Sequence, residues 1–281
     1  MKEIKESIVF NGKDLSIATG RYAKQADGAI WLTYGGTVLL ATVVASKEEV
    51  SDDIDFFPLT VDYVEKFYAA GRFPGGFLKR ESQQSTAEKL TSRLIDRPLR
   101  PMFADWFKNE TQILVNLLSY DSECDPKVIS ILASSAALMV SDIPFNGPVA
   151  GCRIVKKNGE FIINPSLSGE PEKYEIDITL AGNRESIMMV EGEALEASED
   201  DMTAAIEIGH KAIQPLLDIQ EKLAKKISPE KRAEKEIKID EKLKKFVEKN
   251  AASLVKKALS TTVKLERYSL VKEAKRRLLN L

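Results

Sequence analysis

The 281-residue sequence is short of the side chains that most enzymes use for acid, base and redox chemistry. It has one histidine, His210, and two cysteines, Cys124 and Cys152. His210 falls in a helical stretch with no serine or cysteine nucleophile pattern near it, so it reads as a structural residue. The cysteines fit no metal or redox spacing and read as buried free thiols in a reducing compartment. No apolar run approaches the roughly 18 residues a membrane span needs, and the opening MKEIKESIVF has no apolar signal core. A soluble cytoplasmic protein is expected. There is no P-loop, no dinucleotide fingerprint and no zinc spacing.

What the sequence has is charge, unevenly placed. The formal net charge is only −2, yet residues 221–281 hold 19 Lys+Arg against 9 Asp+Glu. The body before them is therefore acidic and the tail basic. Within the acidic body lies a basic island. From Lys66 to Arg100 eight basic residues (Lys66, Arg72, Lys79, Arg80, Lys89, Arg93, Arg97, Arg100) face three acids, Glu81, Glu88 and Asp96.

Local signals order the chain. AIWLTYGGTVLLATVVAS reads as a hairpin turning at Gly35-Gly36, and FFPLTVDYV as a further strand. Ser85 with Glu88 forms a capping box that starts a helix at Thr86, and Pro98 predicts its end by Arg97. TQILVNLLSY reads as a buried strand. Asp125 caps a second helix that carries Pro126 in its first turn and Val128, Ile131, Leu132 and Leu138 at helical spacing. Two more hairpins are expected, one turning at Asn158-Gly159 and one at Gly182-Asn183. Ser198 with Asp201 opens a long helix towards Lys226, with a possible kink at Pro215. A charged, nearly non-apolar stretch then gives way to helical spacing through Leu243, Phe246, Val247, Leu254, Ala258 and Leu259. The final residues carry no C-cap signal and read as a cut. The expected division is 1–144 and 145–226 for the two parts of one core, 227–238 for a linker and 239–281 for a truncated helical domain.

The loop GRFPGGFLKR precedes no immediate helix start, so its glycines do not cradle phosphate. They let the loop bend and project Phe77. An aromatic ring beside Lys79 and Arg80 is a stacking platform with phosphate-seeking charges, the recipe for binding single-stranded nucleic acid. Arg93 and Arg97 lie four apart on one helix face and extend the track, with Arg100 beyond them. Composition alone leaves a solvated surface loop beside a charged helix equally open.

The run DFFPLTVDYVEKFYAAGRFPGGFLKRE, followed in order by RLIDRPLRPMF and IPFNGPVAG, resembles the first core of bacterial polynucleotide phosphorylases. The resemblance covers roughly residues 1–226, and the segment after 239 resembles that family's all-helical linker domain. It implies an α+β fold, a ribonuclease PH-like core of mixed sheets with packed helices followed by a small all-α domain. It also implies 3′-to-5′ phosphorolysis of single-stranded RNA to nucleoside diphosphates, a homotrimeric ring, and degradosome proteins as further partners. Inorganic phosphate is the implied co-substrate and Mg²⁺ the implied metal, both for a second core that lies outside this chain. FLKR at 77–80 stands where the family has Phe-Phe-Arg-Arg, a loop that lines the ring's entrance and stacks RNA. Here Leu78 and Lys79 replace the second aromatic ring and the first arginine, and neither is an equivalent.

By the same resemblance the chemistry is missing from this core. Asp125-Pro126-Lys127 occupies the place of the phosphate-holding serines. Of the Asp-x₅-Asp-x-Lys metal pattern only Asp177 is retained, with Pro171 and Thr179 at the other two positions. No catalytic or metal residue is therefore expected here. The expected role is that of a scaffold and RNA guide within a larger enzyme. The alternatives are a stand-alone ribonuclease PH-type enzyme, which the lost positions argue against, and an inert RNA-binding or ring-building subunit of an exosome-like complex.

Overall fold

A computed structural model describes residues 3–48, 56–77, 79–81, 83–168, 173–233 and 240–279. The chain divides into two compact units, Met1–Ala233 and Glu234–Leu281.

The first unit is built on two sheets. Strands β1 (Ile4–Phe10), β2 (Lys13–Thr19), β3 (Gly28–Tyr34), β4 (Thr37–Ala45), β5 (Leu59–Glu65) and β6 (Thr111–Ser119) form a six-stranded sheet in the order β1-β2-β3-β4-β6-β5. Four consecutive antiparallel strands give way to β6, inserted between β4 and β5, and only the β5–β6 pair is parallel. A parallel pair needs a crossover, and helix α1 (Thr86–Leu99) supplies it, packed on β5. A second sheet, in the order β10-β9-β7-β8, joins β7 (Ala150–Lys157), β8 (Glu160–Ile163), β9 (Ile176–Gly182) and β10 (Ile187–Ala194).

Helix α2 (Pro126–Val140) lies at the centre. It packs against β3, β4 and β6 of the first sheet and β7 of the second, and every residue from Val128 to Leu138 is buried. A helix apolar all round belongs in a core. Packing is so close that a Cβ on Gly28 of β3 would lie 2.2 Å from the Ala137 carbonyl oxygen, which only glycine avoids. The long helix α3 (Glu199–Ile227) runs unbroken across Pro215 and covers β7, β9 and β1.

Most sequence-level signals recur as drawn. The Ser85–Glu88 capping box is complete, and Asn158 and Gly159 take the positive φ angles (52° and 81°) of a tight hairpin turn. Cys124 and Cys152 are both buried and free. Two boundaries differ. The β9–β10 connection is a four-residue loop in which the Asn183 side chain accepts from the N–H groups of Glu185 and Ser186. Helix α1 does not stop at Arg97. It runs through Pro98 to Leu99 and continues as a 3₁₀ turn, Arg100–Met102. Pro98 and Leu99 are buried, so core packing outweighs the local cost of a proline in the last turn.

The charged stretch after α3 opens with residues that return to the first unit. The Lys231 ammonium donates to the carbonyls of Leu138 and Ser141 at 2.8 Å each and of Met139 at 3.3 Å, at the end of α2. Arg232 bonds Asp142, Asp27 and the Ser46 carbonyl. In the second unit, α4 (Glu241–Leu259) is capped by Asp240 and packs on α5 (Lys264–Leu279). Among the described residues only Ala258 and Ala274 are buried there, while Leu243, Phe246, Val247 and Leu259 stay exposed. Two helices offer too little surface to cover the apolar face that the periodicity marks.

Candidate functional site

The loop between β5 and α1 is fastened at its base and free at its tip. Lys66 and Glu81 form an ion pair at 2.8 Å, and the ammonium holds Glu81 below the usual carboxylate range. Glu88, besides closing the capping box, accepts from the Glu65 N–H at 2.8 Å and so joins the helix start to the end of β5. Burial works to raise Glu88, but the backbone N–H groups of Glu65 and Ser85 outweigh it and the carboxyl titrates lower than usual. A 3₁₀ turn, Phe67–Ala70, ends at Gly71 in the left-handed region (φ 67°). Beyond it Arg72, Phe73, Phe77, Lys79 and Arg80 are exposed.

Phe77 is completely exposed and Phe73 is 78% exposed. Lys79 adopts φ 47°, a conformation that costs a lysine, and both it and Arg80 are exposed. Leu78 lies outside the described residues. Tyr68, 59% exposed, was not marked by the sequence.

The three arginines of α1 and its continuation differ in availability. Arg93 is exposed and has no ionic partner among the described residues. Arg97 pairs with Glu191 of β10, both about half exposed. Arg100 is exposed but fully engaged: its guanidinium holds Asp96 with three hydrogen bonds and donates to the carbonyls of Phe57 and Leu59 at 3.0 and 3.1 Å. It fastens the end of α1 to the start of β5, a positioning task that helical spacing could not reveal.

Where the resemblance places phosphate and metal, the structure has internal partners instead. The Asp125 carboxylate accepts from the Lys127 N–H at 2.9 Å and is 9% exposed. The positive end of α2, a natural anion site, is thus already capped by a carboxylate. Burial raises the Asp125 carboxyl, with the Lys127 N–H opposing. Asp177 is held by Arg153 through Nε–Oδ1 and Nη2–Oδ2 contacts of 2.8 and 2.6 Å. That pairing raises the guanidinium further. Asp177, Thr179, Glu191 and Glu193 line an open depression of about 370 Å³ with Leu94. Pro171 lies outside the described residues. These residues do not fit a Mg²⁺ ion: the carboxylate in the metal position is spent on Arg153, and no group of three or more candidate ligands occurs among the described residues. His210, mid-way along α3, meets the Asn183 carbonyl through Nε2 at 3.0 Å, a structural contact.

Residues 11–144 match a family model described as "3′ exoribonuclease family, domain 1", and residues 147–212 match domain 2 of the same family. The polyribonucleotide nucleotidyltransferase of Rhodospirillum centenum is 45% identical over 278 residues, covering 98% of this chain and 39% of the relative. That of Geotalea uraniireducens is 47% identical over 267 residues, 95% of this chain and 38% of the relative. That of Maricaulis maris reaches 49% over 226 residues, 80% of this chain and 32% of the relative. The chain spans less than two fifths of the length of these three curated relatives. A crystal structure of rice (Oryza sativa) Rrp46 shares the fold, with TM-score 0.56 at 17% identity over 79% of this chain and 94% of that one. Among the described residues no helix is long and apolar enough to cross a membrane. The α+β, ribonuclease PH-like fold expected from the motifs is the fold found, and on the two matched domains the chain belongs to the 3′ exoribonuclease family and resembles its polyribonucleotide nucleotidyltransferases.

Proposed function

We propose that this chain is the RNA-guiding first core of a 3′-to-5′ phosphorolytic polyribonucleotide nucleotidyltransferase that degrades single-stranded RNA to nucleoside diphosphates. The observation that carries the reading is a fully exposed Phe77 at the tip of a fastened loop, flanked by the exposed Lys79 and Arg80, in a chain whose relatives bear that name. Phe77 supplies a face for a base to stack on. Lys79, Arg80 and Arg93 supply phosphate contacts, Arg97 does so in competition with Glu191, and Arg100 positions the helix.

The chemical step belongs to a second core. There inorganic phosphate would attack the phosphorus of the 3′-terminal phosphodiester, the 3′ oxygen of the shortened RNA would leave, and a bound Mg²⁺ would offset the charge developing on that oxygen. A homotrimeric ring with cytoplasmic localisation and degradosome contacts completes the reading. The alternative of an inert exosome-like subunit is weaker, because the relatives at 45–49% identity are named as nucleotidyltransferases.

Two measurements on the 281-residue chain test this. Supplied with Mg²⁺, phosphate and a 3′-labelled RNA, it should release no nucleoside diphosphate. Titrated with oligo-A at two salt concentrations, it should bind weakly and lose affinity steeply with salt, because each phosphate contact releases a counterion. A dissociation constant indifferent to salt would refute the guiding track.

A further inference from the structure

Behind the foot of the loop lies an open depression of about 600 Å³, lined by Gly36, Ala69, Ala70, Arg72, Tyr120 and Asp121 among others. It shares no lining residue with the depression around Asp177.

The walls are tied in place. The Tyr120 N–H donates to the Ala69 carbonyl at 3.0 Å, and the Gly71 and Arg72 N–H groups donate to Tyr68 and Phe67, each at 3.0 Å. Asp121 accepts from the Gly36 N–H at 3.0 Å and from the Glu123 N–H at 2.9 Å, one bond to each oxygen. These bonds keep its carboxyl below the usual range, so it stays ionised as a wall. The Ser119 hydroxyl donates to the Gly36 carbonyl at 2.9 Å. A shape held by backbone bonds needs no ordering when a ligand arrives.

Against these occupied walls, two groups stand unused. Arg72 is exposed and its guanidinium has no partner among the described residues. Tyr120 is 39% exposed, and its hydroxyl likewise has no described partner. A preformed depression offering one free cation and one half-exposed aromatic ring suits a ligand with one anionic and one flat aromatic part. A nucleotide has both. Asp121, together with Glu65 and Asp125, whose charges also reach the Tyr120 hydroxyl, disfavours a dianion, which favours the singly charged phosphodiester of a nucleotide within a chain over a free terminal phosphate.

We infer that this depression is a nucleotide subsite for single-stranded RNA, in which a base lies against Tyr120 while its phosphodiester pairs with Arg72. The inference rests on the RNA-guiding reading above and extends it, because Arg72 begins the same loop that presents Phe77 at its tip. RNA is thereby held at two points, the tip and the foot of one loop.

The test is a titration of the chain with 5′-fluorescein oligo-A₁₂, comparing the parent with Tyr120→Leu, Tyr120→Phe, Arg72→Gln and Phe77→Ala, with melting curves for each. Tyr120→Leu removes the ring and should weaken binding about 5- to 150-fold, while Tyr120→Phe keeps it and should bind as the parent does. Arg72→Gln should lower the slope of log affinity against log salt by about one. If Tyr120→Leu fails to fold, photocrosslinking the parent chain with an 8-azidoadenosine oligonucleotide takes its place: an adduct on Tyr120 or Arg72 supports the subsite. Adducts confined to residues 73–80 overturn it. Parent-like binding by Tyr120→Leu and Arg72→Gln alongside weakened Phe77→Ala also overturns the subsite and leaves the guiding reading standing. Parent-like binding by every variant refutes the guiding reading itself. AMP displacing the oligonucleotide from the parent but not from Arg72→Gln would show a mononucleotide site and overturn the preference for a chain.

Discussion

Arg153 on β7 and Asp177 on β9 form a two-point ion pair, although neither faces the other across the ladder: Arg153 lies opposite Thr179 and Asp177 opposite Val155. The long guanidinium reaches the diagonal neighbour, with side chains 20% and 24% exposed. The pair occupies the one carboxylate that the metal pattern retained.

Asp177→Asn should therefore lower stability without touching any chemistry. The expected loss is about 1–3 kcal/mol, between an exposed pair and a buried one, because Arg153 keeps its charge with half its bonds. A cycle with Arg153→Leu should show strong coupling in urea titrations. Mg²⁺ should leave the melting temperature of the parent unchanged. Stabilisation by Mg²⁺ that disappears in Asp177→Asn would show a metal ligand instead.

Arg93 and Arg100, two helical turns apart, should separate cleanly. Arg100→Ala strips donors from the Phe57 and Leu59 carbonyls and should cost about 1–2 kcal/mol, with RNA affinity per folded molecule unchanged. Arg93→Ala touches no described partner and should stay within about 0.5 kcal/mol in stability while reducing the salt dependence of RNA binding. The opposite pattern would exchange their roles.

Lys231 makes a pH prediction. Burial lowers its ammonium to about 8, with Asp142 opposing, against 10.5 when unperturbed. Between those values the unfolded chain binds more protons than the folded one, so this group makes folding more favourable as pH rises. Below about pH 8 both states are charged and the burial cost is borne in full. Comparing the parent with Lys231→Met cancels groups that titrate alike in both. The melting-temperature difference should move in favour of the parent from pH 8 to 10. A flat or reversed difference would mean that the three carbonyls at the end of α2 keep the ammonium fully charged.

The features legible in the sequence were those decided within a few residues. Gly35-Gly36, Asn158-Gly159, Ser85 with Glu88 and Asp125 each act through local backbone chemistry, and each marks the element boundary it predicts. Phe77 was legible because glycines on its N-terminal side leave it nothing to pack on. What stayed hidden depends on neighbours distant in sequence. β6 inserts between β4 and β5, and β7 pairs with β9 as well as β8, so the Arg153–Asp177 contact could not be found without the strand order. Arg100 looked like another member of a basic face until the start of β5 came beside it. Lys231 sits in a stretch whose composition resembles a linker, and its partners lie 90 or more residues away. The Tyr120 depression joins a strand end, a hairpin turn and a loop foot, none of which carries a motif.

The last prediction concerns Phe77. Phe77→Ala removes a stacking surface while leaving every charge and the fastened base of the loop in place. Because the ring is fully exposed, its loss takes no packing from the core, and the melting temperature should not move. Affinity for oligo-A should fall by about 1–3 kcal/mol, roughly 5- to 150-fold. The salt dependence should be unchanged, since no phosphate contact is lost, and this distinguishes it from Arg93→Ala and Arg72→Gln. If the guiding reading holds, the same change in a polyribonucleotide nucleotidyltransferase that carries this core should raise the Michaelis constant for long RNA and reduce processivity, with dinucleotide-scale substrates hardly affected. A loop serving only structure predicts the reverse, a lower melting temperature with unaltered affinity. Phe77→Trp discriminates further: a larger ring should bind at least as tightly as the parent if stacking is the role. Phe77→Ala binding RNA as tightly as the parent would end the stacking assignment.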